Sequence, residues 1–372
     1  MMAVETLSPV YSPEVPVRNK VLWVNPQIDL PFNLAVGKST NLGVFLVDHR
    51  TVSNDSFKLG VASNHGRSVH LGRVKISDSN GNIYRDVDLK GAGYVKGNGT
   101  KTDPSFVTPI SIKGKDSTFG IWRFEKAQRE VDITEDLTAK GVRTYRIGAL
   151  IELEEIALPD GTKISITEAK SRGIMNVDEK PVIGLRLYRN RMRVQDKYPN
   201  TSQVLCDAKK MVELELGREM TWQEYLCWFS TSLGSSIAGI HNAGYWHGAI
   251  DAHNVTLSAE IMDFGFDWGE KDYFSKKLED LSSKVRGYEI SDDYRKAYER
   301  MCEIVRAVQW DLDRRAELMP GTHFGKMFHK AYVDTSITHD APAEEPDTRR
   351  HSQSKLKKRI AQKLKWTGFR NN

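Results

Sequence analysis

The amino-acid sequence predicts an α+β fold in which a strand-rich N-terminal lobe precedes a helical C-terminal lobe. Between about residues 21 and 183, short apolar runs alternate with Gly, Asn and Asp turns, a pattern typical of strands and hairpins. After Ile183 the apolar spacing becomes helical. We therefore expect an N-lobe over residues 1–183, a C-lobe over 184–336, and a polar linker with a basic helix over 337–372.

Two stretches define the expected N-lobe. The run "LGRVKISDSNGNIYRDVDL" predicts two strands joined as a hairpin at "SNGN". The run "RFEKAQREVDITEDLTAKG" predicts a helix that ends at Lys140-Gly141, because a cation is favourable near a helix C-terminus and Gly readily adopts a left-handed cap.

One long helix opens the expected C-lobe. In "TWQEYLCWFSTSLGSSIAGIHNAG", Thr221 and Glu224 have the spacing of a capping box, and apolar residues at 226, 229, 233, 237 and 240 share one face. The helix leads into "WHGAIDAHNVTLSAEIMDFGFDWG". Further helices are expected from about Lys276 to Leu318.

Composition restricts the class of protein. No apolar run approaches the roughly 20 residues that cross a bilayer, and the first residues lack a signal-peptide pattern, so we expect a cytoplasmic protein. The three cysteines lack metal-ligand spacing, and their odd number argues against a disulfide framework. The net charge is +5, but residues 349–370 contain nine Lys/Arg and no Asp/Glu, so the rest of the chain is acidic.

Asn254 and Asp263 are the candidate metal ligands. They flank "VTLSAEIM", an apolar-polar stretch that predicts a hairpin. A hairpin brings the amide oxygen and the carboxylate together, and Mg²⁺ prefers such oxygen ligands alongside nucleotide phosphates. The order of His247, Asn254 and D-F-G is typical of a protein-kinase-like fold with two lobes. The structural alternative is an acidic turn between strands.

Lys90 and Glu130 form a second candidate pair. Lys90 ends a strand-like segment in "DVDLKGAG", and Glu130 lies inside the first predicted helix. In a kinase-like lobe a lysine contacts the phosphates and a helix carboxylate holds that lysine in place. Taken alone, the two residues could equally form a surface ion pair.

Motifs along the chain resemble, in order, those of the selenoprotein O family. They are "YSPEVPVRN", "NHGRSVHLGR" with Gly66 and Arg67, "LKGAG", Gly120, Arg129-Glu130 followed by Gly141 and Arg146, "RLYRNRMR" with Arg186 and Arg193, "HGAIDAHN" and "DFGF".

The resemblance implies a bilobal kinase-like protein adenylyltransferase (AMPylase), which binds ATP in a flipped orientation and transfers AMP to Ser, Thr or Tyr hydroxyls of protein substrates. It implies that Asn254 and Asp263 bind Mg²⁺ or Mn²⁺. It also implies that seven residues contact the nucleotide: Gly66, Arg67, Lys90, Gly120, Glu130, Arg186 and Arg193. Guanidinium groups grip phosphate bidentately, which suits the arginine pair, although a solvated basic strand is the alternative.

The expected catalytic base is missing. The family has an Asp immediately before the metal-binding Asn, where this chain has His253, and the ordinary kinase position holds Ala249. Asp251 and His253 are therefore the candidate bases, since residues 249, 251 and 253 of an extended loop point to the same side. The alternatives to an active transferase are an ATP-binding pseudokinase that acts as a regulatory or interaction module, and an ordinary kinase.

Other departures from the family indicate a divergent and shortened relative. Asn64 replaces a Gly of the glycine-rich loop, Phe119 replaces an Asp, and the family's C-terminal region with its redox-active residue is absent. The C-terminal stretch "KLKKRIAQKLKW" instead has helical apolar spacing among basic residues. It suits docking on an acidic surface, or equally a solvated helix that packs back on the acidic body. Nucleic acid is not the expected partner.

Overall fold

The computed structural model describes residues 10–47, 58–61, 68–93, 96–97, 102–103, 109–112, 115–118, 120–158, 160–197, 201–264 and 283–339. Several parts of the sequence prediction lie outside these ranges, among them Gly66, Arg67, the expected start of the later helices at about Lys276, and the basic segment 349–372. None of the helices within the ranges combines the length and the apolar character that crossing a membrane requires.

Strands dominate the first half of the described chain. They are β1 (Val10–Pro16), β2 (Asn19–Val24), β3 (Val44–Leu46), β4 (Lys58–Val61), β5 (Ser68–Ser77), β6 (Ile83–Lys90), β7 (Lys96–Gly97), β8 (Thr102–Asp103), β9 (Pro109–Ile112), β10 (Lys115–Thr118), β11 (Trp122–Arg123), β12 (Arg146–Leu153), β13 (Glu155–Ala157), β14 (Lys163–Ser165) and β15 (Pro181–Tyr188). Within the described residues, nine of them form a sheet in the order β2-β12-β15-β6-β5-β4-β1-β3, with β11 beside β15.

Helices dominate the second half. They are α1 (Phe124–Ala139), α2 (Ile166–Ser171), α3 (Thr201–Leu216), α4 (Trp222–Asn242), α5 (Ser283–Arg306) and α6 (Gly321–His339), with a π-helical segment at Ala307–Asp311 and 3-10 turns at Val194–Lys197 and Arg315–Glu317. The predicted α+β class, strand-rich first and helical later, is confirmed.

Three helices, α2, α3 and α6, were not individually predicted, although α3 lies in the region after Ile183 that was expected to be helical. The sequence pattern ended its helices at Leu318, before α6 begins, and α2 has only six residues, too few for an apolar period to show. The expected lobe boundary after Ile183 falls inside β15, and the domain limits stay a prediction.

The locally encoded elements agree with the sequence. β5 and β6 form the expected antiparallel hairpin, with Asp78 accepting backbone hydrogen bonds from Asn80 and Asn82 in the turn. At the start of α4, the Thr221 hydroxyl accepts from the Glu224 backbone N–H and the Glu224 carboxylate accepts from the Thr221 backbone N–H. The predicted capping box is therefore confirmed.

Alternation along β6 and β15 decides which side chains face the helices. Val87, Leu89 and the odd-numbered apolar residues of β15 pack into a core on one side of the sheet. Val182 and Tyr188 pack on the other side, in the core that contains α1, α3, α4 and α5. Because successive side chains of a strand point to opposite faces, the charged residues that alternate with these core residues lie on the helical side: Asp86, Asp88, Lys90 and Arg186.

Candidate nucleotide and metal site

Lys90, at the end of β6, joins three parts of the chain. Its Nζ lies 3.1 Å from Oε2 of Glu130 on α1 and 2.7 Å from Oδ1 of Asp263, and 4.6 Å from the centroid of the Trp122 ring. Glu130 is fully buried, and burial raises its pKa although the charge of Lys90 opposes this. Lys90, Glu130 and Asp263 are thus brought together, as the sequence interpretation requires.

Asp263 follows a short hairpin in which Val255 pairs with Ile261. Its backbone is left-handed, with φ of 63°, a conformation that Asp tolerates better than most side chains. Burial opposes ionisation of the carboxyl group, but the positive charges of Lys90, Arg186 and Arg193 outweigh burial and hold its pKa well below the usual range. The carboxylate is therefore ionised at neutral pH.

Asn254 begins the same hairpin, and its backbone carbonyl accepts from Met262 N–H at 3.0 Å. Its side-chain Nδ2 donates to the Ala249 carbonyl at 2.9 Å, which fixes the amide orientation. Oδ1 is then left buried without a hydrogen-bond partner among the described residues. Buried polar atoms are normally satisfied, so this oxygen is a candidate to bind a ligand.

This donor set fits a hard cation. An amide oxygen without a partner and an ionised carboxylate from the two ends of one hairpin are ligands that Mg²⁺ and Mn²⁺ accept. Within the described ranges, no group of three or more His, Cys, Asp or Glu side chains could hold a metal ion. A cation bound by Asn254 and Asp263 would therefore complete its shell with water or with ligand oxygens such as phosphate.

The two candidate arginines differ in their surroundings. Arg186, 1% exposed, donates from Nε and Nη2 to the two carboxylate oxygens of Asp88, both at 2.8 Å, and from Nη2 to the Ser68 hydroxyl at 2.6 Å. Its Nη1 lies 3.5 Å from Asp263 Oδ1. Most of the donors of Arg186 therefore serve the protein itself.

Arg193 retains a donor. It pairs with Thr256 of the metal-site hairpin, and its backbone N–H donates to Asp196 at 2.9 Å. The side chain is 6% exposed, yet Nη1 has no partner among the described residues. Of the two arginines, Arg193 is the one with unused capacity to bind an anion.

The loop after α4 is anchored from both ends. The His247 ring bonds the Met262 carbonyl through Nε2 at 2.8 Å and accepts from the Ala249 N–H through Nδ1 at 3.1 Å. The backbone N–H groups of His247 and Gly248 donate to the carboxylate of Asp293 on α5, both at 2.8 Å. Burial lowers the His247 pKa, so the ring is a neutral group that organises the loop through these hydrogen bonds.

The candidate bases lie on this loop. Ala249 is buried and offers no carboxylate, whereas Asp251 and His253 are half-buried. The extended geometry expected for residues 249–253 is wrong, because Ala252 and His253 form a turn closed by Asn254 N–H donating to the Asp251 carbonyl at 2.9 Å. Strand-like alternation therefore does not place His253 beside Asp251.

The expected glycine positions are tightly packed. Gly120 has φ of 86° and its carbonyl accepts from Gly93 N–H at 3.1 Å. At Gly91 of "LKGAG", a Cβ would lie 2.4 Å from the Val182 carbonyl. These contacts place the segment after Lys90 against β15 and explain its small residues by packing.

Sequence reasoning missed several residues of the site. Tyr188 shares the strand face of Arg186 two residues away, and β-alternation could have found it. Asp293, which holds the loop, carries no local signal, because α5 meets the loop only in the folded chain. Arg146, placed among the family motifs, is instead buried against Asp78 and Glu135.

Comparisons with known proteins give a distant structural likeness. The chain matches no protein-family model and no curated protein sequence. Among solved structures it is similar to the kinase domain of a Toxoplasma gondii specific rhoptry antigen, with 10% sequence identity and a TM-score of 0.34 over 79% of this chain and 80% of that one. At this TM-score the likeness carries no argument about activity, and the selenoprotein O resemblance rests on its motifs alone.

Proposed function

We propose that this chain binds ATP together with a divalent cation and transfers AMP to hydroxyl groups of proteins. The observation that carries the nucleotide part is the buried Oδ1 of Asn254, which has no hydrogen-bond partner among the residues that the structure describes. It belongs to the hairpin that presents the ionised Asp263 carboxylate to Lys90. An acceptor oxygen, a carboxylate and a lysine held by Glu130 together match the needs of a metal-nucleotide complex.

The site residues fall into two groups, those that would bind the cation and those that would bind phosphate. Asn254 and Asp263 offer oxygen ligands to the cation, which would neutralise phosphate charge when bound. Lys90 and Arg193 offer donors to phosphate oxygens, and Glu130 keeps Lys90 in place. Phosphate and cation therefore compete with the present Lys90–Asp263 ion pair, and part of it opens when ligand binds.

The transfer itself forms a bond between the acceptor hydroxyl oxygen and the α-phosphorus. The bond from that phosphorus to its bridging oxygen breaks, and pyrophosphate leaves with the electron pair. The hydroxyl proton passes to Asp251 or His253. Support for this finer part is the order of motifs in the sequence and the anion-binding capacity of Arg193, which suits a leaving group with several negative charges.

A specific observation favours a second candidate, an ATP-binding pseudokinase. The ordinary base position holds the buried Ala249, and the turn at Ala252 and His253 replaces the extended geometry that would have aligned the two alternative bases. A protein of this kind would bind the nucleotide and act through partners without turnover.

The deciding experiment offers the protein ATP labelled on either the α- or the γ-phosphate, with candidate acceptor proteins, and follows protein-bound label. AMP transfer predicts the α-label alone. Incorporation of the γ-label would replace this proposal by an ordinary kinase, whereas tight ATP binding with neither label would favour the pseudokinase.

The control is Asp263→Ala. It should abolish metal-dependent ATP binding, because it removes the charged ligand, while Lys90 keeps its pair with Glu130. Unchanged metal-dependent affinity in this variant would contradict the assignment of the site.

A further inference from the structure

Tyr188 is a fully buried residue at the end of β15 that neither the motifs nor the resemblance assigns to the site. The Arg186 guanidinium lies 5.5 Å from the centroid of its ring, and the Tyr145 ring stacks on it with centroids 5.4 Å apart and planes at 18°. The Tyr188 ring therefore packs against both side chains, which restrict the position of its hydroxyl.

The Tyr188 hydroxyl has no hydrogen-bond partner within the described part of the chain. Neither does Nη1 of Arg193, and the two groups interact electrostatically. A buried hydroxyl and a buried guanidinium N–H that bond nothing are each unfavourable in the free protein. Both atoms are donors, whereas the unpartnered atom on the metal side, Asn254 Oδ1, is an acceptor.

The protonation state of the Tyr188 hydroxyl allows it to donate a hydrogen bond. Burial raises the Tyr188 pKa well above its ordinary value; Asp88 adds to the increase, as does Asp263, and the nearby arginines only oppose it. Asp88, whose two oxygens accept from Arg186, is not a hydrogen-bond partner of the Tyr188 hydroxyl. The hydroxyl therefore stays protonated and available.

We infer that Tyr188 is a phosphate-binding residue, whose hydroxyl donates, together with Nη1 of Arg193, to phosphate oxygens of the bound nucleotide. This rests on the proposed nucleotide site and adds a residue to it. Phosphate is the ligand class that accounts for both sets of atoms. Its oxygens can accept hydrogen bonds from the two buried donors, and they can also ligate a cation held by Asn254 and Asp263.

The test compares Tyr188→Phe with the matched control Tyr145→Phe, which removes a buried hydroxyl from the stacked partner ring. Calorimetric titrations with Mg²⁺-ATP, Mg²⁺-pyrophosphate and adenosine measure the affinities, and thermal unfolding measures stability. Tyr188→Phe should weaken both phosphate ligands about tenfold, the usual effect of one hydrogen bond to a charged group. Adenosine affinity should not change.

Stability separates a binding role from a structural one. Since Tyr188→Phe deletes an unsatisfied buried hydroxyl and keeps the ring, its melting temperature should stay equal or rise while phosphate affinity falls. A structural role would lower both together. Tyr145→Phe should retain the affinity for phosphate ligands.

Three results would overturn the inference: unchanged phosphate affinity in Tyr188→Phe, an equal loss in Tyr145→Phe, or an affinity loss matched by a fall in melting temperature. If Asp263→Ala abolishes Mg²⁺-ATP binding while Tyr188→Phe does not weaken it, the proposed function stands and only the role of Tyr188 is wrong. If the unmodified protein binds no Mg²⁺-ATP, both proposals fall.

Discussion

Replacing Arg186 by Met should destabilise the fold, because the guanidinium is the partner that compensates the buried Asp88. The substitution removes two hydrogen bonds of 2.8 Å to the carboxylate and one of 2.6 Å to Ser68, and leaves Asp88, 3% exposed, without its cation. Breaking a buried pair from one side typically costs about 3–5 kcal/mol. The Met side chain keeps much of the aliphatic packing, so the fall in the free energy of unfolding measures mainly the loss of the positive charge and its hydrogen bonds.

Urea unfolding followed by tryptophan fluorescence measures this loss. With a slope of roughly 2–3 kcal/mol per molar urea, the midpoint should fall by about 1–2.5 M. The double variant Arg186→Met/Asp88→Asn should recover part of the stability, since it no longer buries an unpaired carboxylate.

Arg193→Met is the contrasting variant. Its Nη1 bonds nothing among the described residues, so stability should change by less than about 1 kcal/mol, while Mg²⁺-ATP affinity falls at least tenfold. Equal destabilisation by the two substitutions, or a stable Arg186→Met protein, would refute the division of roles between the two arginines.

The remaining predictions concern the base, a buried acid and the hairpin. Asp251→Ala should reduce AMP transfer by about 10²-fold or more in a turnover assay if Asp251 is the base, and His253→Ala should then have a smaller effect. The reverse order would make His253 the base. If both variants stay active, neither residue is the base. Burial raises the Glu14 pKa to about 7, so the folded protein holds this proton more tightly than the unfolded chain. Its contribution to stability should fall as the pH rises from about 4.5 to about 7, and melting curves of Glu14→Gln should lack that pH dependence, whereas identical pH profiles would disprove it. Glu260→Gln weakens the buried bonds to Arg189 and Ser258; titration should show weaker Mg²⁺ affinity as the hairpin loosens, and unaltered Mg²⁺ binding would separate the hairpin from the site.

Local patterns predicted what short-range physics determines. The hairpin turn at Asp78–Asn82, the capping box of α4 and the end of α1 near Gly141 each depend on residues within a few positions of one another. The Lys90–Glu130 pair is separated by 40 residues along the chain, and it was accessible only because the motifs follow a familiar order.

Longer-range contacts could not be read in advance. That Arg186 is committed to Asp88 depends on the register of β15 against β6, which pairs these two residues although they lie 98 positions apart. Asp293 reaches the loop only through the packing of α5. The turn at His253 overrode the extended loop because the Asn254 backbone bonds back to Asp251, an outcome that alternation alone does not anticipate.

Strands β6 and β15 each contribute residues to the hydrophobic core on one face and to the candidate site on the other. Along both strands, apolar residues alternate with the charged or aromatic residues of the site, so one residue inserted within either strand would exchange the two sets. Lys90 or Arg186 would then point into the hydrophobic core, and leucine side chains would point into the ligand site. Insertions or deletions inside these strands are therefore expected to disrupt both the hydrophobic core and the ligand site. A change of length in the turn at Asn80–Gly81 would keep the register of both strands. We therefore expect changes in chain length at turns remote from the site, whereas these two strands can change only by substitution.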